Sequence, residues 1–292
     1  MTDDLSLALW CKVLPSRLRG EAMADTDELV TFDEVKGPFG WMGNMSPYPV
    51  RYKEKWFATA EHLFQFMRFL GMKPVIFQDS DGKDAVIDED FMKEKLCASR
   101  FDCVSDELAA ARRGVTEKVR PIANPLIAKN VAKKYLKFVR DYSDRSGDDL
   151  DAAYAADLAK DVENMSFILR QKVAFNSELI RSLLATGNAR IVEDVTNRVA
   201  NREERARQKV LTCRMKCEEV RLKGGKQSAI DKAERELISA EEAARNPNHR
   251  HDLFWGQALQ DGQWVGENQL GKCWMELRDR LRDVLQIPAK TS

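Results

Sequence analysis

Residues 198–246 constrain the fold more than any other stretch of the 292-residue chain. They hold 13 Lys or Arg against 9 Asp or Glu, a surplus of four positive charges, with almost no aromatic side chain and a Gly-Gly pair at 224 and 225. A segment so polar cannot close a core of its own. It predicts two charged helices turned back at the glycine pair, an αα-hairpin inserted into a domain built from the flanking sequence. The surplus charge could touch a phosphate backbone. The plainer reading is a solvated hairpin braced by i,i+4 pairs, such as Arg235 with its neighbours, or a contact surface for another protein.

The flanking sequence is ordinary for a globular core, with 43 % apolar residues over the whole chain. Lys plus Arg and Asp plus Glu number 47 each, so any binding of a polyanion would rest on a local patch and not on a global field. The six cysteines, Cys11, Cys97, Cys103, Cys213, Cys217 and Cys273, have no regular spacing, which fits a reduced intracellular protein, cytoplasmic or nuclear. Only Cys213 and Cys217 share a helix face, and no second ligand pair accompanies them, so neither a metal nor another cofactor is expected. No run approaches the roughly eighteen apolar residues of a membrane span, so no membrane partner is expected. The opening LSLALWCKVLPSRLRG lacks a clear cleavage site and reads as part of a peripheral extension, 1–29.

From Val30 the composition changes. VTFDEV has strand character, FGWMGNMSPYPV reads as a folded-back loop rich in Gly, Pro and aromatics, and RYKEKWF alternates weakly, as an edge strand does. Thr59 suits an N-cap, and Leu63, Phe66 and Phe69 or Leu70 supply the apolar stripe of a helix over AEHLFQFMRFL. Residues 79–83 read as a turn, and 89–97, 105–113 and 122–142 as helices. The polar, glycine-containing YSDRSGDDLDAAY, 142–154, reads as a surface loop. Helices follow over about 156–175 and 177–185, then a strand over ARIVEDV. After the hairpin, LGKCWMELRDRLRDVL predicts an amphipathic helix with Leu270, Trp274, Leu277, Leu281 and Leu285 on one side. The glycines at 256, 262, 266 and 271 permit left-handed backbone or close approach to a ligand, and a helix start behind such a loop can cradle phosphate. The fold class expected is α+β: a single, mainly helical domain over 30–285 with a small set of short strands. Insertions interrupt it at about 142–156 and 198–248, and a tail follows at 286–292.

Glu61 and His62 are the sharpest candidates for chemistry. Being adjacent on a helix, they point about 100° apart and cannot both face one small group. A Glu61 facing a cleft lined by Phe57 and Trp41 suits an acid or base; the alternative is a first-turn carboxylate favoured by the helix dipole. His62 reads as a hydrogen-bonded structural group. Phe39, Trp41 and Phe57 could stack a base or form local core. Asn44, Asn268, Arg68 and Arg278 are polar groups among apolar neighbours, and Arg278 could reach a phosphate or pair with a carboxylate.

FGWMGNMSPYPVRYKEKWFATAEHLFQFMRF resembles the N-terminal signature of the YbiA-like, NADAR-domain family, in Phe39, Gly40, Asn44, Thr59, Glu61, His62, Phe64, Gln65, Arg68 and Phe69. NSELIRSLLATGNARIVEDV and FWGQALQDGQWVGENQLGKCWMELRDRL resemble its later segments, the last in Trp255, Gly256, Gly266, Asn268, Leu270, Gly271, Met275 and Arg278. The resemblance implies a YbiA-like fold and an N-glycosidase that cuts between a ribose C1 and a base nitrogen. It implies Glu61 as the catalytic carboxylate, with Phe39, Gly40, Trp41, Asn44, Lys55, Phe57, His62, Arg68, Trp255, Gly256, Gly266, Asn268, Gly271 and Arg278 around the substrate. The expected ligand is ADP-ribose or a ribose phosphate, and the partner that fits the added hairpin is ADP-ribosylated DNA, with guanine as the modified base. Hydrolysis of ribosylaminopyrimidine phosphates of riboflavin biosynthesis is the alternative reaction, and a non-catalytic module for ADP-ribose or NAD is the alternative class. Four features depart from the family pattern: Arg68 stands where a Lys is usual, which brings Lys55 forward as a candidate amine; Gln257 stands where an acid often follows Trp-Gly; Met42-Gly43 stands where an apolar residue and Ser are more usual; and the family's Trp near the long helix has no clear counterpart around 157–160.

Overall fold

The computed structural model describes residues 29–33, 35, 37–53, 55–70, 75–78, 84–87, 124–130, 132, 147–245 and 249–287. Expected features at 1–28, 79–83, 89–97, 105–113 and 288–292, and most of 122–142, lie outside them. Within them the protein is a mixed α+β structure dominated by helices, with short strands. It divides into two compact units, Met1–Ile191 with Lys272–Ser292, and Val192–Gly271.

In the first unit β1 (Leu29–Phe32) alternates exposed and buried residues, as a strand covering a core on one face must. A 3-10 turn, Gly40–Met42, opens the glycine-aromatic loop. RYKEKWF is not one edge strand but two: β2 (Val50–Tyr52) and β3 (Lys55–Phe57) pair antiparallel in the register Val50↔Phe57, Arg51↔Trp56 and Tyr52↔Lys55. The chain reverses at Lys53, whose φ of +52° breaks the extended run. Thr59, extended at φ −146°, caps α1 (Ala60–Met67) by accepting the His62 N–H at its side-chain oxygen. Every residue of α1 is buried, so its three polar side chains have to be satisfied inside the protein. A second hairpin, β4 (Val75–Gln78) with β5 (Asp84–Ile87), is antiparallel, and residues 125–130 are helical.

The long α2 (Gly147–Phe175) overturns the loop reading of 142–154 over its described part, because residues 147–154 are helical. Acids at 148 and 149 complement the positive end of a helix, and the alanines at 152, 153, 155, 156 and 159 carry the best intrinsic propensity, which outweighs one glycine at the start. Met165, Ile168, Leu169 and Val173 form its buried stripe, and α1 and β2 pack on it. α3 (Glu178–Leu184) buries Leu179, Ile180, Leu183 and Leu184, then ends in a turn at Gly187, φ +56°.

β6 (Arg190–Glu193) carries the chain into the second unit. There α4 (Thr196–Leu222) and α5 (Gln227–Arg245) form the αα-hairpin, turning through Gly224 at φ +64°. Val199, Cys217, Ala233 and Ala240 are the buried apolar side chains of this largely charged element. Ion pairs join the two helices: Arg214 to Glu241 at 3.0 Å, Lys216 to Glu236 at 2.6 Å and Arg221 to Glu234 at 2.5 Å. α6 (Arg250–Trp255) and the hairpin β7 (Ala258–Gln260) with β8 (Gln263–Val265) follow, and Val195, Val199 and Ala258 make a small core with Leu253. α7 (Gln269–Leu285) returns the chain to the first unit from Lys272 onward. Leu270, Trp274, Leu277 and Leu281 are its buried stripe. Among the described residues no helix is long and apolar enough to cross a membrane, and no cluster of three His, Cys, Asp or Glu could hold a metal ion. Cys213 and Cys217 are free thiols.

Candidate active site

In the first unit Asn44 touches the start of α1, which carries Glu61 and His62, while Gly40 and Trp41 stand in the 3-10 turn that precedes Asn44 in the same loop. The first N–H groups of a helix have no partner within it. That of Glu61 donates to the Asn44 carbonyl at 2.9 Å, which ties the glycine-aromatic loop to the helix. Glu61 is 4 % exposed. One turn later, on the same face, Gln65 Nε2 donates to Glu61 Oε1 at 2.8 Å, and Lys129 Nζ, from the 125–130 helix, lies 4.0 Å from the same oxygen. The Asn44 Oδ1 atom is buried and has no hydrogen-bond partner among the described residues. A buried acceptor without a donor is rare enough to mark a place where something else supplies one.

His62 is 1 % exposed and its Nδ1 lies 2.9 Å from Thr59 Oγ1, so the ring reinforces the helix cap. Gly40 admits no side chain, because a Cβ there would lie 2.3 Å from the Val35 carbonyl oxygen. Phe39 is half-buried at the head of the 3-10 turn. Trp41 meets the edge of Trp274 with ring centroids 5.3 Å apart. Phe57 is fully buried, its ring centroid 5.3 Å from that of Phe66, so it belongs to the core and offers no face to a base. Lys55 is exposed on β3. Arg68 pairs with Asp161 on α2, Nε to Oδ1 3.4 Å, and lies over the Phe64 ring.

Beneath the loop sits a residue that the sequence reading passed over. Lys172 on α2 is fully buried, and its Nζ donates to the Trp41 carbonyl at 2.6 Å, the Gly43 carbonyl at 2.9 Å and Ser46 Oγ at 2.7 Å. Burial without a carboxylate partner disfavours the charged amine, and its pKa falls to about 7. Trp274 Nε1 donates to the Met42 carbonyl at 3.1 Å, so three successive loop carbonyls are held from inside. Lys172 had a readable signal, since it stands where the stripe Met165, Ile168, Leu169, Val173 calls for an apolar residue. Gln65 had one too, four residues after Glu61. Lys129 had none.

Arg278 is nine-tenths buried and donates from Nη1 to Thr186 Oγ1 at 2.9 Å and to the Ala189 carbonyl at 2.8 Å. Burial, and then the neighbouring Arg282, lowers its pKa from the usual arginine range. Arg282 bonds the Gly187 carbonyl and Asn188 Oδ1, so the two guanidiniums clamp the turn after α3.

The remaining candidates lie in the second unit and form a backbone knot. A Cβ on Gly256 would meet the Glu193 carbonyl oxygen and Val195 Cγ1, each at 2.5 Å, and one on Gly266, φ +132°, would lie 2.4 Å from the Gly256 carbonyl oxygen. These two glycines answer to close backbone packing. Asn268, at φ +57°, accepts the Glu193 N–H on Oδ1 at 3.2 Å, and Gln257 Nε2 donates to the Gly266 carbonyl at 2.8 Å. Trp255 is buried edge-on to Phe254, and Gly271 is buried in the first turn of α7.

No protein-family model and no curated protein matches the chain. Among solved structures, the chain is similar to the NMR structure of the E. coli protein YbiA, with 18 % identity and a TM-score of 0.43, over 95 % of this chain and 98 % of that one. A likeness of that size carries neither a fold nor an activity across.

Proposed function

We propose that the protein is an N-glycosidase that hydrolyses the bond between a ribose C1 and a nucleobase nitrogen, with ADP-ribosylated guanine in DNA as its substrate. The observation that carries the reading is Glu61: a nearly buried carboxylate, held on one oxygen by Gln65, its N–H on the carbonyl of Asn44, whose side-chain acceptor has no donor among the described residues. Cleaving an N-glycosidic bond builds positive charge on C1 and the ring oxygen. A fixed carboxylate stabilises that charge and takes a proton from the attacking water. The water oxygen bonds to C1, the C1–N bond breaks with its electron pair going to the base nitrogen, and the proton that Glu61 took from the water passes to that nitrogen, which restores the carboxylate. Asn44 Oδ1 is suited to accept a ribose hydroxyl proton, and Lys129 places positive charge beside the site for a phosphate.

DNA is favoured as the carrier of the base because Arg205 and Lys209, four apart on α4, make no ion pair among the described residues, whereas many other hairpin cations are paired. The test is release of ADP-ribose from guanine-modified single-stranded DNA by wild type and Glu61→Gln, with ribosylaminopyrimidine phosphate as competitor. Turnover on DNA that disappears in the variant supports the proposal. Activity only on the pyrimidine phosphate reassigns the substrate, and tight ADP-ribose binding without turnover on either makes the protein a binding module.

A further inference from the structure

We infer that Lys172 is a positioning residue of this site: its amine fills a cage made by the Trp41 and Gly43 carbonyls and Ser46 Oγ, and so holds the loop whose Asn44 carbonyl receives the start of α1. The argument is one of donor count. An ammonium has three N–H donors, and three acceptors stand within 2.9 Å of Nζ. The Ser46 hydroxyl is then free to donate its own hydrogen back to the loop; its oxygen lies 2.6 Å from the Gly43 carbonyl oxygen and 3.0 Å from that of Trp41. Serine and ammonium together brace the segment 41–46 with four bonds. A neutral amine has two donors and one lone pair. It can still serve both carbonyls, but the Ser46 hydroxyl must turn toward the nitrogen, and its bond to the loop is lost.

Nothing else around Lys172 substitutes for the proton. From the loop the Tyr48 ring faces it, and from α7 the Trp274 ring, each with its centroid 5.6 Å from Nζ. Both present ring faces and no carboxylate. No carboxylate pairs with Lys172 among the described residues, and burial alone brings its proton affinity into the physiological range. The clamp is therefore complete below about pH 7 and loses a bond above it.

The part of this inference that concerns turnover rests on the glycosidase proposal; the loop itself can be tested without it. Lysine Cε signals of the full chain would be followed by NMR against pH in wild type, Lys172→Met and Ser46→Ala, with hydrogen exchange of the amides at 41–46. One lysine should titrate near 7 in wild type and be missing in Lys172→Met. Loop exchange should quicken about tenfold when the clamp is broken, the size expected for one hydrogen bond to a charged group. Ser46→Ala removes an acceptor of the charged form, so the midpoint should move down. If the glycosidase activity exists, its pH profile should lose an alkaline limb near 7 in Lys172→Met. A Lys172 that titrates in the ordinary lysine range, or loop exchange indifferent to its titration, overturns the inference. Absence of turnover on every substrate defeats the glycosidase proposal and leaves the NMR result standing. Should Lys172→Met not fold, wild type and Ser46→Ala decide the matter alone.

Discussion

Glu61 and the two asparagines show how much a single residue's surroundings change what its side chain can do. Glu61→Gln keeps an oxygen for Gln65 and should leave thermal stability close to wild type, while glycosidase turnover falls by about 10²- to 10⁴-fold, the usual contribution of a positioned acid or base. Asn44 and Asn268 looked equivalent in the sequence, each a polar group among apolar and glycine neighbours. Their Oδ1 atoms have opposite fates: that of Asn44 has no partner among the described residues, and that of Asn268 accepts the Glu193 N–H. Asn44→Ala should therefore be nearly neutral in denaturant unfolding yet weaken substrate binding about tenfold. Asn268→Ala should cost roughly 1–3 kcal/mol of stability, because it orphans a donor and places alanine at a positive φ. Equal stability losses in the two variants would mean that the Asn44 carboxamide is as fully used in the fold as that of Asn268.

At the scale of elements, the reversal at the glycine pair and the polar character of α4 and α5 were legible, and for a physical reason. A stretch with so many charges has few ways to satisfy its backbone except as exposed helix, and glycine is the residue that turns such a helix back. The choice of partners was less legible. The expected i,i+4 pairs are present, as between Lys223 and Glu219, but further bracing runs between the helices, through Arg214, Lys216 and Arg221, at sequence separations that no i,i+4 rule reaches. Such exposed pairs each contribute under about 1 kcal/mol, so the hairpin should lose little stability in high salt. Binding of DNA should behave differently. Arg205→Glu with Lys209→Glu should lower affinity for single-stranded DNA and reduce the log–log salt slope by roughly 1.4, two contacts at about 0.7 each. An unchanged slope would remove the hairpin from the DNA contact. The loop reading at 147–154 failed on the same element scale, because a lone glycine and several acids look like a turn until the alanines behind them are counted.

For the whole molecule, Lys172 makes a pH-dependent contribution to stability whose sign follows from its lowered pKa. In the unfolded chain the amine holds its proton to the ordinary lysine value near 10.5; in the folded protein it does so only to about 7. Between those values unfolding takes up a proton, so stability rises with pH from about 7 upward, and below 7 the full cost of the buried charge is present. Guanidinium unfolding of wild type against Lys172→Met, at several pH values from 6 to 9, should show wild type gaining on the variant as pH climbs. A constant difference would mean that the amine is solvated. Trp274→Ala tests the other inward bond on the loop. Removing a fully buried indole should cost about 3–5 kcal/mol and should also loosen the Met42 carbonyl.

Periodicity, capping and turn chemistry are local, and they were readable along the chain: the Thr59 cap, the buried stripe on α7, the strand at 190–193 and the charged hairpin each follow from residues within a few positions of one another. The carboxylate at Glu61 was also visible, as a polar residue in an apolar run. What its surroundings are was not visible. Lys129 beside Glu61 and Lys172 under the loop come from residues 68 and 126–131 positions away, and Gly256 and Gly266 are glycines because two backbone segments touch. Contacts at such separations are settled only when burial brings distant segments together, and burial also turns an ordinary lysine into one that releases its proton near neutrality.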